Sequence, residues 1–356
     1  MYNVTIAIAL FNAEKYIKKT LTSALNQTFN YIEYLIINDC SYDDSINIIN
    51  EIKINHPRGK HIRIVNHTKN MGIGVARNTA INEAKGEYLF YLDSDDLIKP
   101  NCIEILYNSA FNHDAEIVIS SYEKTNEIGI RELEVSFPTK VINESDGILK
   151  YRYQSTKQIM EFYVWNILFK TSFLRKNNLF FSPVRIGEDV IFTLNMNSLV
   201  RKCILLPDVT YTYIKRPNSL SQFNKRNHIN LDEVVEQLYY RRCKKTKCIE
   251  NKSKSFAANE VTHVMKDCFY AALSVLQKEK LISPPLSEKD VKSLLTHPLT
   301  FIEIIHLKQN KGINIIFYLL GKLPYIISKF IILFSFSTVK IIQNLFTVSL
   351  HTKLKK

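Results

Sequence analysis

The chain has 356 residues, 46% of them hydrophobic and 23% charged, an ordinary globular composition with room for one large domain and an appendage. Its net charge of +13 is lopsided: residues 1–214 hold 23 Lys+Arg against 24 Asp+Glu, whereas residues 215–356 hold 24 against 10. That distribution excludes a uniformly basic nucleic-acid binder, so no nucleic-acid partner is expected, and the basic part suits an anionic membrane or polymer.

In chain order, the opening "MYNVTIAIALFNAEKYIKK" lacks a basic leader and a small-residue cleavage site, and it breaks at Asn12, so it reads as a first strand. Apolar, β-branched runs at Val4–Leu10, Tyr34–Ile37, Ile62–Val65, Tyr88–Leu92 and Glu116–Ser120 alternate with helical patterns at Glu14–Asn26, Asp43–Ile54, Val75–Lys85 and Pro100–Asn112. A βα repeat whose strands are apolar on both faces predicts an α/β domain with a mainly parallel central sheet, and such sheets bind ligands at the carboxyl ends of their strands. Gly86 stops one helix and Pro100 suits the first turn of the next. From 121 to 225 the pattern is less regular, with "FYVWNILFKTSFL" and a strand-like pair at Cys203–Leu206 and Val209–Tyr213. Residues 228–280 read as helical, and "LISPPLSEKD" reads as a linker. The expected division is a catalytic domain over 1–225, a helical extension over 226–295 and a basic amphipathic tail over 296–356.

Cys40, Cys102, Cys203, Cys243, Cys248 and Cys268 include no CxxC pair and are too sparse for a disulfide scaffold; reduced thiols in a cytoplasmic protein are expected.

The stretch "YLFYLDSDDLIKP" ends an apolar run in Asp93, Ser94, Asp95 and Asp96. Carboxylates spaced DxD at a strand end can hold a hard divalent cation and leave positions open for a diphosphate. They can equally solvate a loop, or, in the case of Asp96, cap the helix that begins near Pro100.

The ordered series "VTIAIALFNAEKYI", "SALNQTFNYIEYLIINDCSYDDS", "NMGIGVARNTAINEAKGEYLFYLDSDD" and, later, "GEDVIF" resembles the family 2 glycosyltransferases over roughly residues 3–225. The resemblance implies a GT-A nucleotide-binding fold and an inverting transfer of a sugar from a nucleotide-diphosphate sugar, UDP-sugar by preference, to a hydroxyl of a glycan or lipid-linked acceptor. By position it implies that Asp39 accepts the uracil N–H and that Phe11 stacks on the base. Ala9, Asn70, Arg77, Asp93 and Ser94 would complete the donor site. Asp95, with Asp93, would hold Mg2+ or Mn2+, and Asp189 would be the general base with Glu188 beside it. Trp165 and Arg216 would face the acceptor or the diphosphate. The residues alone offer plainer roles: an Asx turn for Asp39, core packing for Phe11 and Trp165, helix bracing for Arg77, a helix N-terminus for Asp189 and a solvated surface for Arg216. Ala9 stands where the family usually has Pro, and Asn38 where it usually has Asp, which bears on the base contacts. A nucleotidyltransferase would want a Gly-rich, Lys-containing phosphate loop that "IALFNAEKYI" lacks; a catalytically silent sugar-binding scaffold is the other alternative.

After Glu303 there is no acidic residue, while Lys308, Lys311, Lys322, Lys329, Lys340, Lys353, Lys355 and Lys356 punctuate apolar sequence. Lysines 311, 322, 329 and 340 fall within about 20° of one helical line, which predicts a helix lying in an anionic membrane interface, divided at Pro324, on the inner face of the cell membrane. A bundle with solvated lysines is the other arrangement this pattern allows.

Overall fold

The computed structural model describes residues 2–154, 163–216 and 229–334, and the chain divides into two compact units, Met1–Leu220 and Ser221–Lys356.

The first unit runs β1 (Val4–Leu10), α1 (Ile17–Leu25), β2 (Ile32–Asn38), α2 (Ser45–Asn55), β3 (Ile62–Asn66), α3 (Ile73–Glu83), β4 (Tyr88–Tyr91), β5 (Leu97–Ile98), α4 (Cys102–His113), β6 (Ile117–Asn126), β7 (Arg131–Val135), β8 (Lys140–Ile142), α5 (Gly147–Gln154), β9 (Ile167–Lys170), α6 (Thr171–Lys176), α7 (Glu188–Asn197) and β10 (Cys203–Lys215). Its sheet has the order β3-β2-β1-β4-β9-β6-β10-β5, with β7 on β6 and β8 on β10. The strands β3, β2, β1 and β4 pair in parallel, as do β6 and β10, while β9 runs antiparallel to both β4 and β6. The parallel group forms because its strands carry apolar side chains on both faces: Ile6, Ile8, Leu35, Ile36, Leu89 and Phe90 are all fully buried. Gly86 lets α3 turn into β4, since a Cβ there would lie 2.4 Å from the Thr5 backbone nitrogen.

Two sequence expectations change here. The strand pair at Cys203–Leu206 and Val209–Tyr213 is one strand, β10, whose register against β6 shifts between Leu206 and Tyr211. The shift falls at Pro207, which has no N–H to give the ladder, so the chain bulges there without ending the strand. Asp96 does not cap α4; the N-cap of that helix is Asn101.

The second unit contains β11 (Ile229–Asn230), α8 (Leu231–Glu250), α9 (Ala257–Gln277), β12 (Ile282–Ser283), α10 (Glu288–Leu295), α11 (Phe301–Ile305), α12 (Lys311–Lys322) and a last helical stretch over 325–334. Side-chain caps set several helix starts: Asn230 for α8, Ser287 for α10, and a Thr300–Glu303 capping box for α11. The segment read as a linker is therefore structured, supplying β12, which pairs with β11, and the cap of α10. One apolar core joins Val261, Met265 and Leu294 with Ile304, Phe317, Leu320 and Ile332, so it crosses the boundary expected at 295. Buried Lys245 fixes the turn after α10 by donating to the carbonyls of Ser293, Leu294 and Thr296 at 2.8, 2.7 and 2.6 Å. Lys340, Lys353, Lys355 and Lys356, together with all of the tail after 334, lie outside the described residues.

Candidate active site

The carboxyl ends of β1, β2 and β4 converge on one edge of the first unit. At the end of β1, half-buried Ala9 is followed by Phe11, which is 43% exposed and meets exposed Tyr42 edge-to-face with ring centroids 6.0 Å apart. An open aromatic pair at a strand end offers a stacking surface to a planar ligand. Tyr42 was not singled out in the sequence, since no spacing marks a loop tyrosine.

Buried Asp39 directly follows β2. Its Oδ1 accepts from the Met71 N–H at 2.9 Å and sits 2.7 Å from His67 Nδ1, while Oδ2 accepts from the Gly72 N–H at 2.8 Å. The carboxylate thereby fixes the loop ahead of α3 and keeps one accepting position on Oδ2 for a further donor. The Asx-type turn belongs to Asn38, whose Oδ1 accepts the Ser41 N–H at 3.0 Å while its amide donates to Asn66. Asn70 is exposed in the same loop. His67, which also lies 2.9 Å from Thr79 Oγ1, carried no sequence signal because its partners Asp39 and Thr79 come from two other segments.

Arg77, on α3, is buried and gives the site its geometry. One guanidinium nitrogen donates to Asp93 Oδ1 at 2.9 Å and another to Glu188 Oε1 at 2.9 Å, with Phe181 and Tyr91 rings 5.5 and 6.0 Å away. Burial alone would lower the Arg77 pKa, but Asp93, Glu188 and Asp189 outweigh it and raise the value. The bracing role and the position under the DxD loop thus coincide in one residue.

Beyond Asp93, the half-buried Ser94 carbonyl accepts from Thr20 Oγ1 at 3.1 Å. Half-exposed Asp95 makes an ion pair with Arg216, whose guanidinium lies over the Tyr16 ring at 4.0 Å and also donates to the Asp95 carbonyl at 3.0 Å. Burial, reinforced by Asp93, pushes the Asp95 pKa up to about 6 against the pull of Arg216. Asp96 is fully buried and faces away from solvent; its two oxygens accept from the Tyr211 hydroxyl at 2.9 Å and the Ile214 N–H at 2.8 Å, tying the loop to β10. Burial and then the neighbouring Asp95 and Asp93 hold its carboxyl well above the usual range.

Glu188 and Asp189 open α7 after Gly187, whose φ of 82° is a left-handed conformation that glycine adopts without strain. Glu188 points inward to Arg77, and burial followed by Asp189 pushes its pKa up to about 7. Asp189 takes its own helix's Val190 N–H at 2.7 Å; burial raises its pKa while Arg77 opposes. Trp165 is buried, stacked on Tyr163, Tyr211 and Tyr213 at 4.1, 4.8 and 5.6 Å, and so belongs to the aromatic core behind the loop.

Among the described residues no group of three or more His, Cys, Asp and Glu side chains could cage a metal ion. Asp93 and Asp95 do supply the hard oxygen donors that Mg2+ or Mn2+ takes, and such ions are commonly held by one or two carboxylates with substrate phosphates and water completing the shell.

The profile of "Glycosyl transferase family 2" matches residues 5–177. The chain is 30% identical over 242 residues to "Glycosyltransferase GlyA" of Streptococcus pneumoniae, covering 66% of this chain and 34% of that protein. It is 28% identical over 248 residues to "Poly(ribitol-phosphate) beta-N-acetylglucosaminyltransferase TarP" of Staphylococcus aureus, covering 67% of this chain and 69% of that protein. The chain thus spans about a third of the pneumococcal relative's length. In structure it resembles S. aureus TarS 1-349 in complex with UDP-GlcNAc, with a TM-score of 0.64 at 16% identity over 90% of both chains, a likeness of fold.

Proposed function

Because the chain belongs to glycosyl transferase family 2, we propose that it is an inverting glycosyltransferase that moves a hexosyl or N-acetylhexosaminyl group from a UDP-sugar to a hydroxyl of a glycan or lipid-linked glycan acceptor. The observation that carries this reading is the Arg77 bridge, which brings the Asp93–Asp95 loop and the Glu188–Asp189 pair, some ninety residues apart in sequence, to one place. The neighbours named in the comparisons point the same way: TarS is a protein solved with UDP-GlcNAc, and TarP is named as a transferase acting on poly(ribitol-phosphate).

In this scheme Phe11 and Tyr42 offer the base a stacking surface, and the remaining accepting position of Asp39 takes a donor N–H from it. Asp93 and Asp95 would hold Mg2+ or Mn2+, which when bound neutralises the diphosphate leaving group. Asp95 must exchange its pairing with Arg216 to do so, which frees that guanidinium to meet a phosphate oxygen. Asp189 accepts the proton of the acceptor hydroxyl as that oxygen attacks the anomeric carbon from the face opposite the diphosphate. Glu188 keeps Arg77 in place and does not take the proton, because its carboxylate already engages the guanidinium. The basic second unit holds the enzyme on the inner face of a membrane, where a lipid-linked acceptor resides.

The test is a panel of nucleotide sugars assayed for metal-dependent release of nucleotide, first with the native chain and then with Asp95→Asn. A neutral amide is a poor ligand for a hard dication, so Asp95→Asn is expected to weaken donor binding in the presence of Mn2+ by roughly tenfold or more. The same variant should change binding little in chelator. Release of nucleotide from no sugar donor, or an Asp95→Asn protein that binds and hydrolyses donor as the native chain does, would overturn the proposal.

A further inference from the structure

We infer that the outward face of α11, α12 and the helix over 325–334 is a docking surface that lies in the plane of an anionic lipid bilayer. The inference rests on the membrane attachment proposed above and adds which side chains make it. In 325–334, Ser328 and Ile332 are fully buried, whereas Ile326, Ile327, Phe330, Ile331 and Phe334 are exposed, Ile326 at 79% and Phe330 at 68%. At 100° per residue those five share a sector of about 140° opposite the buried pair. The neighbouring helices repeat the pattern: α12 turns Phe317 and Leu320 inward but Ile316 and Leu319 outward, and α11 buries Ile304 but exposes Phe301, Ile302 and Ile305. A helix that is apolar on both its packed and its outward face is not finished by water, and ten large apolar side chains on consecutive helices exceed the scattered exposure ordinary for a surface.

Charge selects the occupant. No acidic residue follows Glu303, and Lys311 and Lys322 run along one line at the flank of the Ile316–Leu319 stripe. Lys329 flanks the last stretch and pairs with Glu279 at 2.7 Å. Beside α11 a cavity of about 310 Å3 is lined by Lys252, Lys254, His306 and Lys308; its one carboxylate, Glu303, is matched by Lys252 at 2.7 Å. Apolar stripes bordered by lysines suit acyl chains below and phosphate headgroups beside them. A symmetric second copy would set like charges against each other. The chain's own residues 335–356 bring four more lysines and no acid, so they supply no counter-charge. Among the described residues no helix is long and apolar enough to cross a membrane, which agrees with an in-plane arrangement.

Cutting the chain at 295 is an unsuitable test, because it would remove Ile304, Phe317, Leu320 and Ile332 from the core. The experiment is vesicle flotation of the full chain, using phosphatidylcholine alone and phosphatidylcholine with about a third phosphatidylglycerol. The native chain should float with anionic vesicles and weakly with neutral ones. Ile326→Glu with Phe330→Glu should lower partitioning at least about tenfold, and Lys311→Glu with Lys322→Glu should abolish the preference for anionic lipid. All should keep the native melting temperature within a few degrees and native donor hydrolysis. Native protein that stays off anionic vesicles, or variants that float as it does, would overturn the inference. So would a concentration-dependent dimer that the glutamates dissociate, which assigns the face to a second copy. A Phe330→Glu protein that melts several degrees lower with unchanged flotation assigns the face to residues 335–356. Flotation without donor hydrolysis in the native chain would sink the catalytic proposal and leave this one standing.

Discussion

Asp189→Asn is expected to lower sugar transfer by roughly two to four orders of magnitude while leaving donor binding nearly intact, the usual consequence of losing a general base. The substitution keeps the size of the side chain and an oxygen that can accept from the Val190 N–H, so α7 should start as before. Calorimetric titration with donor and Mn2+, paired with turnover on any working acceptor, separates the two effects. The pH profile of the native enzyme adds an independent check. Burial raises the Asp189 pKa, so the proton-accepting form is lost at a higher pH than for an ordinary aspartate as the solution is acidified. The acid limb of kcat/KM should therefore lie above the usual carboxylate range, and the residual activity of Asp189→Asn should fall less steeply on acidification, retaining only the part that Asp95, itself raised to about 6, contributes. Normal turnover by Asp189→Asn would require another carboxylate to be the base. Glu188 is the first candidate, and that outcome would mean its pairing with Arg77 breaks during the reaction.

The second large effect is on stability. Arg77→Met should destabilise the first unit by about 3–5 kcal/mol, because removing one partner of a buried ion cluster leaves the others charged and unpaired. Asp93 and Glu188 would lose their shared guanidinium, and Asp189 the cation that opposes its burial. Arg77→Lys should recover only part of the loss, since a single ammonium cannot reach two carboxylates in the fixed geometry of a guanidinium. Denaturant unfolding followed by the fluorescence of Trp165, the chain's only tryptophan and a buried residue of that unit, reads this directly. A midpoint that does not move for Arg77→Met would show that the bridge contributes nothing to the fold.

The βα half of the molecule is legible in the chain's own pattern. The expected strands at Val4–Leu10, Ile62–Val65 and Tyr88–Leu92 match β1, β3 and β4 to within a residue, and the helices between them lie within three residues of α1, α2, α3 and α4. That agreement has a local cause: a strand covered by helices on both faces must be apolar throughout, and a helix must repeat every 3.6 residues, so both patterns are written in contiguous sequence. The positions of Asp39, Asp93 and Asp95 followed for the same reason, as strand ends are where apolar runs stop. Which residues become partners is set by folding. Arg77 reaches Glu188 across 111 positions, Arg216 reaches Asp95 across 121, and the Asp96 carboxylate takes Tyr211 across 115. Nothing in the run "DSDD" distinguishes an aspartate that faces a ligand from one that faces the core. Folding separates Asp95 from Asp96 by turning one toward solvent and the other under β10, where burial costs a carboxylate its charge unless hydrogen bonds replace the water. The same holds for the lysine line of the C-terminal helices: periodicity revealed the stripe, but only packing could show that the face opposite the core is apolar.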